Sequence, residues 1–187
     1  MEFVEAIRER HKIKEIKEIL LIRSKRDYLL FTLGINTGLK ISDLLKIKKH
    51  EIIDDDNIIK EYLVADIDKD IRLHYLNKQV KQAIEVYIET VPFLSGDDHL
   101  FKSKKGDSPI TRQQAYRIIN SVAKDVGIQS KIGTHTLRKT FGYHAYCGGV
   151  AVSILQKIFH HSSKRDTMKY IGIEKDEHIT TKIDVNL

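Results

Sequence analysis

The periodicity of the chain changes once, and that change limits what it can fold into. On either side of residues 58 to 75 apolar residues recur at helical spacing; within the stretch they alternate. Ile71, Leu73 and Tyr75 are interleaved with Arg72 and His74, the period-2 pattern of a half-buried strand, with the apolar set expected inward. Residues 58 to 67 read as its antiparallel partner and Asp68-Lys69-Asp70 as the turn. Before the hairpin, residues 13, 16, 19 and 20 mark one helix, residues 25 to 36 a more buried one ended by Thr37-Gly38, and Ser42 opens a short third. After it, Val80, Ala83, Ile84, Tyr87, Ile88 and Val91 form one amphipathic stripe. Residues 95 to 109 read as a polar, basic loop and a candidate hinge. Thr111 and Gln114 then make a capping box ahead of a helix through Val126. Two more helices are expected to begin near Thr134 and Val152. The expected fold class is mainly α with one small antiparallel β-hairpin (α+β), in a single domain over residues 1–187.

Composition sets the class of protein. The 187 residues include one cysteine, Cys147, so no internal disulfide and no thiolate metal cage can form. No long apolar run suggests a signal peptide or membrane span, and a soluble intracellular protein is expected. Lys and Arg total 32 against 26 Asp and Glu, a net charge of +6, with a pI near 9.2. Basic clusters at Lys46/Lys48/Lys49, Lys102/Lys104/Lys105 and Lys164/Arg165 stand apart from the acidic Asp54–Asp56, as in a protein with one phosphate-facing side. Each cluster alone reads better as a solvated helix end or loop.

Chemistry concentrates in residues 134 to 172. His135 and Arg138 are spaced i, i+3, which on a helix puts them on one face. His161 follows after a further helix, and Tyr170 stands nine residues later. A guanidinium that forks onto phosphate oxygens, imidazoles that titrate near neutrality and a phenol that can attack as an oxygen nucleophile are the ingredients of phosphoryl transfer. Neither a paired-carboxylate cluster for magnesium nor a His/Cys set with zinc spacing is evident, and no cofactor is expected.

In order and spacing, His135-x-x-Arg138, the turn Phe159-His160-His161-Ser162-Ser163 and the segment Thr167-Met168-Lys169-Tyr170-Ile171 resemble the tyrosine recombinase (phage integrase) family. The stretch Asn36 to Leu45 (NTGLKISDLL) resembles that family's first signature box, and the likeness covers about residues 10 to 172. The resemblance implies site-specific DNA cleavage and rejoining without metal. Tyr170 would attack the scissile phosphate and become linked to the DNA 3′ end. Arg138 would hold the nonbridging oxygens, His161 would add a hydrogen bond, and His135 would help move the tyrosine proton. It further implies double-stranded DNA as partner, self-association on DNA, no membrane, and a bacterial or phage-encoded, cytoplasmic, nucleoid-associated protein.

Two positions depart from the family pattern. Lys40 stands where the first box supplies a second arginine, which keeps the charge but loses the planar two-point grip. The family's hairpin lysine has two candidates, Lys69 at the turn first and Lys60 second. Asp43 is expected to orient Lys40 or His135. The family's N-terminal clamp domain is expected to be absent, and residues 173 to 187 either dock on a neighbouring subunit or pack locally. An alternative reading is a DNA-binding or assembly protein of recombinase descent whose catalysis is weakened or lost; a helical protein-interaction domain and a type IB topoisomerase are more distant ones.

Overall fold

The computed structural model describes residues 4–67, 70–91, 94–104 and 106–173. Nine helices and two strands follow one another among these residues. They are α1 (Arg10–Arg23), α2 (Lys25–Thr37), α3 (Ile41–Leu44), α4 (Lys49–Ile52), β1 (Tyr62–Ile67), β2 (Asp70–Tyr75) and α5 (Lys78–Ile88), then α6 (Arg112–Asp125), α7 (Thr136–Cys147), α8 (Val152–Phe159) and α9 (Lys164–Ile171). The mainly helical fold with one antiparallel hairpin agrees with the sequence pattern. None of these helices is long and apolar enough to cross a membrane.

The local code is explicit at the helix starts. Ser24, Asn77, Thr111 and Ser163 each accept a hydrogen bond from a backbone N–H in the first turn of α2, α5, α6 and α9. The Thr111–Gln114 capping box is closed in both directions, at 2.8 and 3.1 Å. α2 is the centre of the main core: Leu29, Leu30, Phe31 and Leu33 are all fully buried, so it is apolar nearly all round. A second, smaller core joins Leu155, Phe159, Ile171 and Ile173 to Phe141 and Met168. α7 divides the two, giving Leu137 to the main core and Phe141 to the small one. Gly142 lets α8 and α9 close on α7, because a Cβ there would come within 2.7 Å of the Phe159 ring and 2.6 Å of Ile171.

Three expectations are corrected. The partner strand is shorter than residues 58 to 67, starting at Tyr62, because Ile59 instead makes an isolated bridge to Ile53. The faces of the hairpin are reversed. Ile71, Leu73 and Tyr75 are 73%, 64% and 55% exposed, while Leu63 is fully buried and His74 turns inward. Tyr62 pairs with Tyr75 and Val64 with Leu73, so these four share the outer face. Residues 95 to 109 are not a hinge over their described part. Leu100 and Phe101 are fully buried, and Leu100 N–H donates to the Ile47 carbonyl at 2.7 Å. The short α4 carried no sequence signal.

Candidate active site

Arg138 is the keystone of the cluster at the seam between the two cores. It is only 7% exposed. One Nη donates to the Gly38 carbonyl, the other to the Ile158 carbonyl at 3.1 Å, and the guanidinium carbon lies 4.7 Å from the centre of the Phe159 ring. The first of these bonds is possible because α2 ends in a left-handed Gly38, φ 67°, packed beneath Phe141 with no space for a side chain. The segment that opens the first box and the one that carries the His-x-x-Arg pair are thereby tied together across 100 residues.

Tyr170 comes to the same place from α9. Its ring lies 4.9 Å from that of His161, edge to face, 5.3 Å from that of Phe159, and 5.2 Å from Lys139 Nζ. Burial pushes the phenol pKa above its ordinary value, and the neighbouring Arg138 opposes the shift without cancelling it. Tyr170 is therefore a neutral phenol at pH 7, whose proton must leave during any attack on phosphorus.

Both imidazoles are held neutral. Burial depresses His161, with Arg138 adding to the effect. Burial also depresses His135, assisted by the charges of Arg112, Lys139, Arg138 and Lys40. His161 Nδ1 lies 3.1 Å from Thr167 Oγ1, whose own proton goes to the Ser163 carbonyl. The hydroxyl must then accept from Nδ1–H, which assigns Nε2 as the open nitrogen of the neutral ring. His135 is the N-cap of α7 rather than a residue within the helix, yet it remains beside Arg138 and Lys139.

The remaining candidates divide. Lys40 is exposed at the N-cap position of α3, makes no capping hydrogen bond there with its side chain, and its charge reaches His135. Lys60 donates to the His50 carbonyl of α4 at 2.8 Å, which engages it outside this cluster. Lys69 lies outside the described residues. Asp43 Oδ1 accepts a 3.1 Å bond from Ser42, and its charge acts on Arg138 and His74.

Three side chains join the cluster that the sequence did not single out. Lys139 donates to the Val4 carbonyl at 2.7 Å while lying over Tyr170. His74 Nδ1 lies 3.2 Å from the Thr37 carbonyl and its Nε2 is buried without a hydrogen-bond partner; burial depresses its pKa. Arg72, beside it on β2, acts by its charge on both Arg138 and His74. The available signal was the polar half of the strand alternation, a pair of cationic residue types that the expected face assignment turned outward. An open cleft of 910 Å³ separates β2 from α8, with Arg72, His74, His160 and His161 on its walls.

A sequence profile of the phage integrase family matches residues 9–177 of the chain. The chain belongs to the phage integrase family. Among its relatives, a probable integrase/recombinase of Bacillus subtilis, YoeC, is 41% identical, the match covering 94% of this chain and 93% of the relative. A tyrosine recombinase of Pseudothermotoga lettingae is 28% identical over 87% of this chain and 56% of its own length. The chain thus spans almost the whole of the first relative and little more than half of the second. The crystal structure of XerA recombinase has the same fold, with a TM-score of 0.76 at 21% identity, covering 93% of this chain and 61% of that one. XerH bound to a palindromic difH substrate after cleavage gives 0.73 at 19%, covering 91% and 49%.

Proposed function

We propose that this integrase-family chain is a DNA strand transferase, acting in site-specific recombination on double-stranded DNA in the bacterial cytoplasm, close to the nucleoid. The observation that carries the reading is that Tyr170 packs within its own chain against His161 and in the field of Arg138. In the proposed step Tyr170 Oη bonds to phosphorus, the P–O5′ bond breaks, and the DNA 3′ phosphate stays on the tyrosine. The phenolic proton passes to a neutral imidazole, with His135 in that role, and the leaving O5′ takes a proton from Lys69, the lysine between the two strands. Arg138 and Lys40 offset the charge that gathers on the nonbridging oxygens. The reverse step reseals the strand, because the phosphotyrosyl ester conserves the energy of the bond it replaced.

Domain organisation follows from the same reading. Residues 1–187 would act as a catalytic domain that binds DNA through phosphate contacts and associates with further copies there, with residues 173 to 187 docking on a neighbour. The neighbours of like fold include a lambda integrase dimer bound to a core site, which supports assembly on DNA. The second reading, binding without catalysis, rests on Lys40 in place of arginine.

Covalent capture tests the proposal. Wild type and Tyr170→Phe are mixed with supercoiled plasmid at low salt in EDTA, then scored for SDS-resistant adducts and for relaxation. Adducts from wild type alone support strand transfer by Tyr170; adducts from the Phe variant overturn it.

A further inference from the structure

Arg72 and His160 meet across the cleft between β2 and the α8–α9 turn, with Arg72 Nη2 3.5 Å from His160 Nδ1. His160 has an unusual backbone. It ends α8 at φ 55°, ψ 44°, the left-handed conformation that glycine adopts freely and a Cβ disfavours. Asn57, the other described non-glycine residue at positive φ, is of a type that tolerates it. A strained imidazole at a helix C-cap calls for a compensating contact, and the contact here is a guanidinium. His160 also immediately precedes His161, so whatever holds His160 helps to hold the turn that brings His161 to Tyr170.

Arg72 is directed into the site by the hairpin. It alternates with exposed Ile71 and Leu73 and shares the inner face of β2 with His74. It lines the same cleft as His74, His160 and His161, and its charge is felt by Arg138 and by His74. A phosphate entering the cleft beside His161 and Tyr170 would therefore meet the Arg72 guanidinium.

Building on the strand-transfer reading, we infer that Arg72 is a second phosphate-binding arginine of this site, positioned by His160, and that it supplies the forked donor that Lys40 lacks. Two N–H donors in a fixed plane grip phosphate where an ammonium offers only a point charge. This also gives a reason for a left-handed histidine: the turn accepts backbone strain to present an acceptor to Arg72.

The test combines two readouts on wild type, Arg72→Ala, Arg72→Lys, His160→Gly and the double variant Arg72→Ala/His160→Gly. The first is the salt dependence of binding to a short mixed-sequence DNA duplex. Loss of one phosphate contact lowers the slope of log K against log salt by about one in Arg72→Ala, a change that a purely structural role would not produce. The second is the rate of covalent adduct formation on supercoiled plasmid. It should fall at least tenfold in Arg72→Ala, less in Arg72→Lys, and several-fold in His160→Gly, although His160→Gly should melt at a higher temperature than wild type. In the Arg72→Ala background, His160→Gly should cost nothing further if it acts through Arg72. An unchanged salt slope together with a wild-type adduct rate in Arg72→Ala overturns the inference and leaves strand transfer standing. A lowered slope with no adduct from wild type supports the phosphate contact and counts against strand transfer. Equal losses from His160→Gly in both backgrounds remove the positioning role of His160.

Discussion

The His161 and Tyr170 rings meet edge to face with their centroids 4.9 Å apart, and both rest on Phe159. This stack fixes the phenol in a partly dry pocket and explains why burial outweighs the neighbouring cation in setting its protonation. Tyr170→Phe keeps the stack and removes only the hydroxyl. Its melting temperature should therefore lie within a few degrees of wild type and its DNA binding should be retained, while adduct formation disappears. Thermal denaturation, a binding titration and SDS-resistant adducts check the three parts.

Arg138→Lys should damage both fold and activity. The lysine cannot reach the Gly38 and Ile158 carbonyls together, so at least one buried acceptor is left unsatisfied at a cost of about 1–3 kcal/mol. Denaturant unfolding should show that loss, and adduct formation should fall by about a hundredfold or more, as for removal of a transition-state donor.

Lys40 is exposed, so Lys40→Arg should leave stability within about 0.5 kcal/mol of wild type. Adduct formation should rise by less than about tenfold, because Arg72 is inferred to supply a forked donor already. An unchanged rate in the arginine variant would mean that the charge alone suffices, a result that single-turnover kinetics resolves.

Acid should destabilise the protein through its buried imidazoles. His74, His135 and His161 all have pKa values depressed by burial. In the unfolded chain each titrates at about 6.5, so below that pH the unfolded state binds more protons than the folded one. Stability is fully present above about 6.5 and is lost as pH falls from there through the lowered folded values. Melting temperature measured from pH 7.5 to 5 should decline, and His74→Gln should flatten the decline.

The reversed hairpin makes a direct prediction. Ile71→Ser and Leu73→Ser, at exposed positions, should change stability by about 0.5 kcal/mol or less. Leu63→Ala, on the opposite face and fully buried, should cost about 2–5 kcal/mol. Urea unfolding of the three variants distinguishes the two faces.

Local patterning was enough to read much of this molecule. Helices α1, α2, α5 and α6 follow from apolar spacing, and α7 and α8 begin close to the expected Thr134 and Val152. Thr111 and Gln114 announced their capping box, and Gly38 announced the end of α2, because caps and left-handed turns depend on residues next to one another. The family resemblance likewise lay in short strings around Lys40, His135, Arg138, His161 and Tyr170. What the strings could not give was the company those residues keep. Arg138 is fixed by carbonyls at residues 38 and 158, and no rule of spacing predicts bonds across such distances. Alternation in β2 correctly signalled a strand, yet the inward face went to Arg72 and His74, because the neighbouring site supplies polar groups and a cleft while the outer apolar face meets solvent. The polar loop at 95–109 hid Leu100 and Phe101, whose burial depends on a cavity that helices elsewhere create. The sequence by itself determined most of the helices, the hairpin and the set of reactive side chains, since these rest on periodicity and capping within a few residues. Only the tertiary structure decided which face of the hairpin turns inward and which charges surround each imidazole, since burial and electrostatics depend on neighbours distant along the chain.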